Sequence, residues 1–202
     1  MKQIKLNIST ETEKYPIIIG SNLTSQVLKI FKKNSIYSKK FFLVVDSKVP
    51  KKLILNIKKS LKNKKILTYY FSSNEKNKNF KSINNILEIL LSENFSRQDC
   101  LISVGGGITG DISGFAASLF KRGLKFVNIP TTLLAQVDSS IGGKTGINSK
   151  YGKNLIGSFY QPSLVISDTK FLKSLPKREL VCGYGEILKH SLINNKNFFN
   201  FL

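Results

Sequence analysis

A short apolar run, Leu101-Ile102-Ser103-Val104, abuts three consecutive glycines, Gly105 to Gly107, and a fourth follows at Gly110. Beyond them Ile112, Phe115, Ala116, Leu119 and Phe120 recur at helical spacing. Such a juxtaposition allows little besides a buried strand, a tight turn and a helix folded back onto the strand. Glycines in that turn let the backbone approach a pyrophosphate, whose charge a helix N-terminus favours. They equally suit a bare strand-to-helix turn, with Gly114 and Ala117 permitting close packing. The loop alone does not decide between the two.

The flanking sequence says what the turn is set in. Ile4, Leu6 and Ile8 alternate with polar residues, and Tyr15 to Gly20 is a second β-like run, so the two read as a hairpin or edge pair. Leu23 to Phe31 has helical spacing behind a candidate cap at Ser21-Asn22. Phe41 to Val45 is solidly apolar and ends in Asp46, which suits a strand buried on both faces. Helical, strand and helical patterns follow at Val49 to Leu61, Ile66 to Phe71 and Phe80 to Leu91. Phe126 to Ile129 is the next strand. Alternation of this kind predicts a Rossmann-like α/β fold, a parallel sheet with helices on both faces. One feature departs from the usual dinucleotide fingerprint. No acidic residue closes the strand Phe126 to Ile129, and the best ribose-binding carboxylate lies upstream, at Asp46.

The formal charge is +20, from 32 Lys and Arg against 12 Asp and Glu. A nucleic-acid partner is the first reading of such a charge. The lysines, however, are spread along the chain, and Arg97, Arg122 and Arg178 are the only arginines, the residue that bidentate phosphate and base readout favours. The charge therefore reads as compositional drift rather than as a nucleic-acid surface. Cys100 and Cys182 form no metal-binding or disulfide pattern, and no apolar run is long enough to span a bilayer. A soluble cytoplasmic protein is expected.

Chemistry-bearing residues gather between Ile102 and Gly157. Asp111 follows the glycine loop, either as a helix N-terminal acid or as a contact to a ribose or cofactor ring. Thr131-Thr132 end a strand, where hydroxyls cap a helix or hold a cofactor. Asp138, Lys144, Lys153 and Asn154 then fall within two loops broken by Gly142-Gly143, Gly146 and Gly152. Cations and an amide on glycine-shaped loops suit an anionic, hydroxylated substrate. In the last helical pattern Glu186 and Lys189 share a face, and His190 is four residues from Glu186. The carboxylate either binds a metal or pairs with the lysine; a single histidine in a helix is more often structural.

Taken together, GGGITGDISGFAAS, KRG, IPTTLLAQVDSSIGGKTGIN, GKNLIGSFYQP, DTKFLKSLP and GYGEILK resemble the 3-dehydroquinate synthase family, in order from about Asp46 to the end. The resemblance implies NAD+ and a divalent metal, Zn2+ or Co2+, acting on the anionic sugar phosphate 3-deoxy-D-arabino-heptulosonate 7-phosphate to give 3-dehydroquinate and phosphate. It implies an NAD site of Asp46, the stretch Ser73, Asn74, Glu75, Lys76, Asn77 and Lys78, then Gly107, Ile108, Thr109, Gly110 and Asp111. Thr131, Thr132, Phe171, Leu172, Lys173 and Ser174 complete it. Asp138, Lys144, Asn154 and Lys189 would hold the substrate, and Lys144 and Lys153 would lie between the two ligands. Arg122 would reach the substrate of a neighbouring subunit, which implies a homodimer. Glu186 would be a metal ligand. By the same resemblance residues 1–170 form the NAD-binding domain and 171–202 begin a helical metal and substrate domain, with the family's two histidine ligands expected beyond Leu202 and His190 at neither position. A non-catalytic nucleotide-binding fragment, a related sugar-phosphate cyclase and a polyol dehydrogenase are the alternatives.

Overall fold

The computed structural model describes residues 3–11 and 13–202. The chain opens with β1 (Ile4–Ser9) and β2 (Lys14–Gly20), an antiparallel hairpin. It then alternates through α1 (Val27–Lys33), β3 (Lys40–Asp46), α2 (Lys51–Ser60), β4 (Lys65–Phe71), α3 (Phe80–Ser92), β5 (Cys100–Gly105), α4 (Gly107–Leu119) and β6 (Lys125–Pro130). After a π-helical turn at Ala135–Ser139 come β7 (Lys144–Ser149), β8 (Gly152–Phe159) and β9 (Leu164–Asp168), then α5 (Lys177–Asn194) and α6 (Lys196–Phe201).

Seven strands form one sheet in the order β1-β2-β9-β6-β5-β3-β4, all parallel except β1. The expected sheet with helices on both faces is therefore the observed one. Alternation along β3 shows why its sequence is continuously apolar. Phe41, Leu43 and Val45 face one cluster with Phe31, Ile54 and Ile57, while Phe42 and Val44 face another with Ile83, Ile86, Ile112 and Phe115. Both sides are covered, so neither set of positions tolerates a polar residue.

Strand order reverses between β3 and β5. From β3 the chain runs outward to β4, then returns to lay β5 on the other side. The loops leaving the carboxyl ends of β3 and β5 therefore part in opposite directions and leave a crevice, where ligands of such sheets bind. Asp46 and Gly105 close those two strands.

Three expectations are corrected. Lys144 to Gly157, expected as loops, forms an antiparallel ribbon of β7 on β8, separate from the main sheet. Leu164–Asp168 is a fully buried central strand that the sequence analysis did not single out. Asn22 is not a side-chain cap; it is left-handed, and its N–H and that of Thr24 donate to the Asp168 carboxylate at 2.9 and 3.0 Å. The start of the first helical segment is thus capped from β9.

Candidate functional site

The glycine turn is forced by packing as well as open to a ligand. A Cβ on Gly105 would stand 2.6 Å from the Thr109 side chain, and one on Gly107 would stand 2.9 Å from Ser139 Oγ. No real Cβ approaches so closely; the Ser139 hydroxyl could turn aside at Gly107, but the fully buried Thr109 could not at Gly105, so Gly105 is required whatever the turn binds. The functional reading rests on something else. Gly106 is the N-cap of α4 and offers no side-chain acceptor, which leaves the first-turn N–H groups of Gly107, Ile108 and Thr109 to other partners. Thr109 itself is fully buried, its side chain packed beneath Gly105.

Across the crevice, Asp46 accepts from Lys48 N at 3.0 Å. Burial raises its pKa, against the opposing pull of the Lys48 N–H, the Lys48 charge and Ser73. Burial likewise raises Asp111, with Lys78 opposing and the charges of Glu75 and Asp138 adding to the rise. A carboxyl that holds its proton more tightly when folded loses stability as pH climbs above the ordinary aspartate value of 3.8, and the loss is complete above the folded pKa. Both acids are therefore stability costs at neutral pH. Asp46→Asn is expected to melt about 1–3 °C higher than the parent at pH 7. The difference should close as melts are repeated toward pH 4. A lower melt at pH 7 would contradict the sign.

Lys78 joins three segments. Its side chain is 5% exposed, and its Nζ donates to Asp111 Oδ2 and to Asn154 Oδ1, each at 2.5 Å. Its carbonyl accepts from Asn148 N at 2.8 Å, and Asn148 Nδ2 donates to Glu75 Oε2 at 2.7 Å. The loop after β4, the start of α4 and the β7–β8 ribbon are thereby fixed to one another. Asp111 lies beyond the first turn of α4, so its partner is the Lys78 ammonium rather than the helix dipole. Lys153 reaches Glu75 at 3.7 Å on the exposed rim.

Within 73–78 the remaining residues serve the turn. Asn74 Oδ1 accepts from Asn77 N at 2.9 Å, Asn77 Nδ2 donates to Ser72 O at 2.8 Å, and Lys76 O accepts from Asn79 Nδ2. Thr132 Oγ1 accepts from Ala135 N at 3.2 Å, the capping role, while Thr131 N donates to Gly105 O at 2.9 Å. Phe171 is core, and the Ser174 hydroxyl donates to Phe171 O, so this 3-10 turn presents Leu172 and Lys173 instead. Lys144 heads β7, exposed, just after Gly142 and Gly143, whose positive φ values suit glycine. Arg122 is not brought to Asp138; it lines a separate depression with Arg97, Lys125 and Tyr160.

The π-helical turn carries Asp138 toward α5. Gly183 makes this possible, because any Cβ there would be 2.6 Å from the Leu133 side chain and 2.7 Å from Leu134 N. One turn later, Glu186 contacts the Lys189 ammonium and stands 3.2 Å from His190 Nε2. The adjacent lysine, and more weakly His190, hold the Glu186 carboxyl below its usual range, with partial burial opposing. Asp138, Glu186 and His190 each offer a donor atom, all within 4.8 Å of one another. Sequence spacing put Glu186, Lys189 and His190 on one side of α5, with Glu186 alone as the metal ligand, and did not place Asp138 beside them. It also missed Gly183, Tyr15, whose hydroxyl accepts from Gly142 N at 3.2 Å, and Gln136, which ties this turn to the ends of β6 and β9.

Residues 68–182 match the family described as 3-dehydroquinate synthase N-terminal. The 3-dehydroquinate synthase of Pelagibacter ubique is 66% identical over 202 residues, 100% of this chain and 55% of the relative. A 2-deoxy-scyllo-inosose synthase structure, complexed with carbaglucose-6-phosphate, NAD+ and Co2+, superposes with a TM-score of 0.88 at 28% identity, covering 96% of this chain and 53% of that one. The 2-epi-5-epi-valiolone synthase of Streptomyces hygroscopicus subsp. jinggangensis, with NAD+ and Zn2+ bound, gives 0.84 at 27%, with 96% and 53% covered. The chain spans about half the length of the curated relatives it matches.

Proposed function

The chain belongs to the 3-dehydroquinate synthase family, and on that footing we propose that it forms the nucleotide-binding part of an enzyme that converts 3-deoxy-D-arabino-heptulosonate 7-phosphate to 3-dehydroquinate and phosphate. NAD+ would supply reversible hydride transfer, and a divalent metal, Zn2+ or Co2+, would acidify and orient substrate hydroxyls.

The observation that carries the reading is the uncapped N-terminus of α4 at the strand-order reversal, faced by Asp46. A pyrophosphate fits there, since the free N–H groups and the helix dipole both favour an anion. Asp46 would accept from the adenosine ribose. Ser73, Thr131, Leu172 and Lys173 would border the nucleotide. Asp111 and Asn154, fixed by Lys78, would be presented ready-oriented, so no ordering would remain for the moment of binding. Asp138, Lys144, Lys153, Asn154 and Lys189 would hold the substrate, the cations against its carboxylate and phosphate. Glu186 would ligate the metal. Arg122, away from this cluster, would serve a neighbouring subunit in a homodimer.

We further propose a cytoplasmic location and no nucleic-acid partner; among the described residues no helix is long and apolar enough to cross a membrane. The two-part division at residue 170 belongs to the same proposal. α5 supports it, because this 18-residue helix buries only Gly183 and Ser191.

The test is a thermal melt with and without NAD+. Ligand at about 100 times its Kd adds about 2.7 kcal/mol, which for a chain of this size lifts the midpoint by about 5–10 °C. Lys78→Met is expected to cut that shift to less than about half, because Asp111 and Asn154 lose their common partner. A parent chain with a cooperative melt and no shift would remove the NAD+ reading.

A further inference from the structure

We infer that Asn148 is a positioning residue: it holds a bulge of β8 that carries Lys153 and Asn154, and it ties that bulge to the turn at Glu75 on the nucleotide side. The inference rests on the proposed function for what Lys153 and Asn154 would touch; the hold on them stands on this chain's own contacts.

The register of the ribbon shows where the bulge lies. Ile147 pairs with Ile156 and Ser149 with Gly152, so two steps along β7 span four along β8. Asn148 therefore stands alone opposite Lys153, Asn154 and Leu155, and the surplus length of β8 must leave the ladder. Asn154 takes it up with a φ of 58°, a left-handed conformation that asparagine tolerates better than most residues. Its amide is met across the bulge: Asn154 N–H donates to Asn148 Oδ1 at 3.0 Å.

The same side chain also faces the nucleotide turn. Asn148 Nδ2 donates to Glu75 Oε2 at 2.7 Å and to Glu75 O at 3.3 Å, while its backbone N–H donates to Lys78 O at 2.8 Å. The orientation of the amide follows from these partners, an N–H on one side and two oxygens on the other. Aspartate would lose the donor, leucine both groups, and glutamine would displace both by a methylene. The bulge answers directly as well, since Lys153 reaches Glu75 Oε1 at 3.7 Å and Asn154 Oδ1 accepts from Lys78 Nζ. Asn148 is the member that meets Glu75, Lys78 and Asn154 together. A nucleotide that shifts the 75–78 turn would thereby shift Asn154, so cofactor loading would set the geometry on the substrate side.

The experiment is amide NMR on the purified, isotope-labelled chain, with and without NAD+. In Asn148→Ala the Asn154 amide should exchange with solvent about tenfold faster than in the parent, while the rest of the ribbon keeps its parental rates. Asn148→Asp retains the acceptor and should retain slow exchange at Asn154, but it sets a like charge against Glu75. NAD+ should move the Asn154 signal in the parent and fail to move it in Asn148→Asp. The movement should return in Asn148→Asp/Glu75→Gln, where the missing N–H comes from the other side, with Glu75→Gln alone as its reference. An asparagine that merely stabilised the ribbon would show no such recovery. Parental exchange at Asn154 in Asn148→Ala, or no recovery in the double variant, would overturn the inference. A melt on each variant verifies folding, and if Asn148→Ala does not fold, the two Asn148→Asp proteins decide. A parent whose melt NAD+ leaves unmoved would remove the functional reading instead, and the exchange rates alone would then decide the hold of Asn148 on Asn154.

Discussion

Asp168→Ala is expected to destabilise the chain by about 3–5 kcal/mol, enough to lower the midpoint by about 6–20 °C. The carboxylate is fully buried and accepts from three backbone N–H groups, those of Asn22, Thr24 and Lys170, at 2.9, 3.0 and 3.0 Å. Alanine leaves all three without an acceptor. Water can reach the two that are part-buried, but Thr24 is fully buried and loses its bond outright, at about 1–3 kcal/mol for that donor alone. Asp168→Asn keeps one acceptor oxygen and turns an amide N–H toward the other donors, so it should fall between. Denaturant melts of the three proteins measure this. An alanine variant within 1 kcal/mol of the parent would show that water replaces the carboxylate, contrary to the burial seen.

Gly157→Ala should be the most damaging change to the ribbon. The added methyl would sit 1.9 Å from the Thr145 carbonyl oxygen and 2.7 Å from Gly146 Cα, its cross-strand partner. Neither neighbour is a side chain that can swing aside, so β7 and β8 must separate or slip. A one-residue slip reverses every side chain on the strand. Asn154 would then leave Lys78, and Lys144 and Lys153 would lose their common platform. The NAD+ shift is expected to fall to less than about a quarter of its parental size, while the main sheet, which does not pair with the ribbon, still melts cooperatively. Hydrogen exchange in 144–159 against the rest would locate the damage. An intact NAD+ shift in this variant would mean that the ribbon has no part in the nucleotide site.

How far the sequence could be read depended on where the deciding partner lay. The solid run Phe41 to Val45 announced a strand buried on both sides, because the two core clusters each take alternate residues of it. The glycine turn was legible for the same local reason. The β7–β8 ribbon was not, since its strands pair only with each other, leave one face exposed and carry five glycine or lysine positions that usually break strands. Asn22 looked like a cap because only a carboxylate 146 residues away does that work. The neighbourhood of Glu186 was hidden for a similar reason: spacing on α5 shows Lys189 and His190 beside it, whereas Asp138 arrives from a different segment through a π-helical turn. The order of motifs carried the family; the contacts among them needed the fold.

The pairing of β2 with β9 also sets an order in time. The first hairpin docks beside a strand that begins at Leu164, and the bonds from Asn22 and Thr24 wait for Asp168. At ribosomal speeds of about 5–20 residues per second, the intervening 146 residues take roughly 7–30 s to make. Throughout that interval β2 has one edge with no native partner, which is the circumstance in which strands recruit strangers. Its sequence is defended accordingly. Lys14 leads it and Pro16 lacks an N–H, so the half that stays outside the β9 pairing is a poor template. The nascent chain would thus be expected to assemble from its middle outward, with its oldest residues taking their places last.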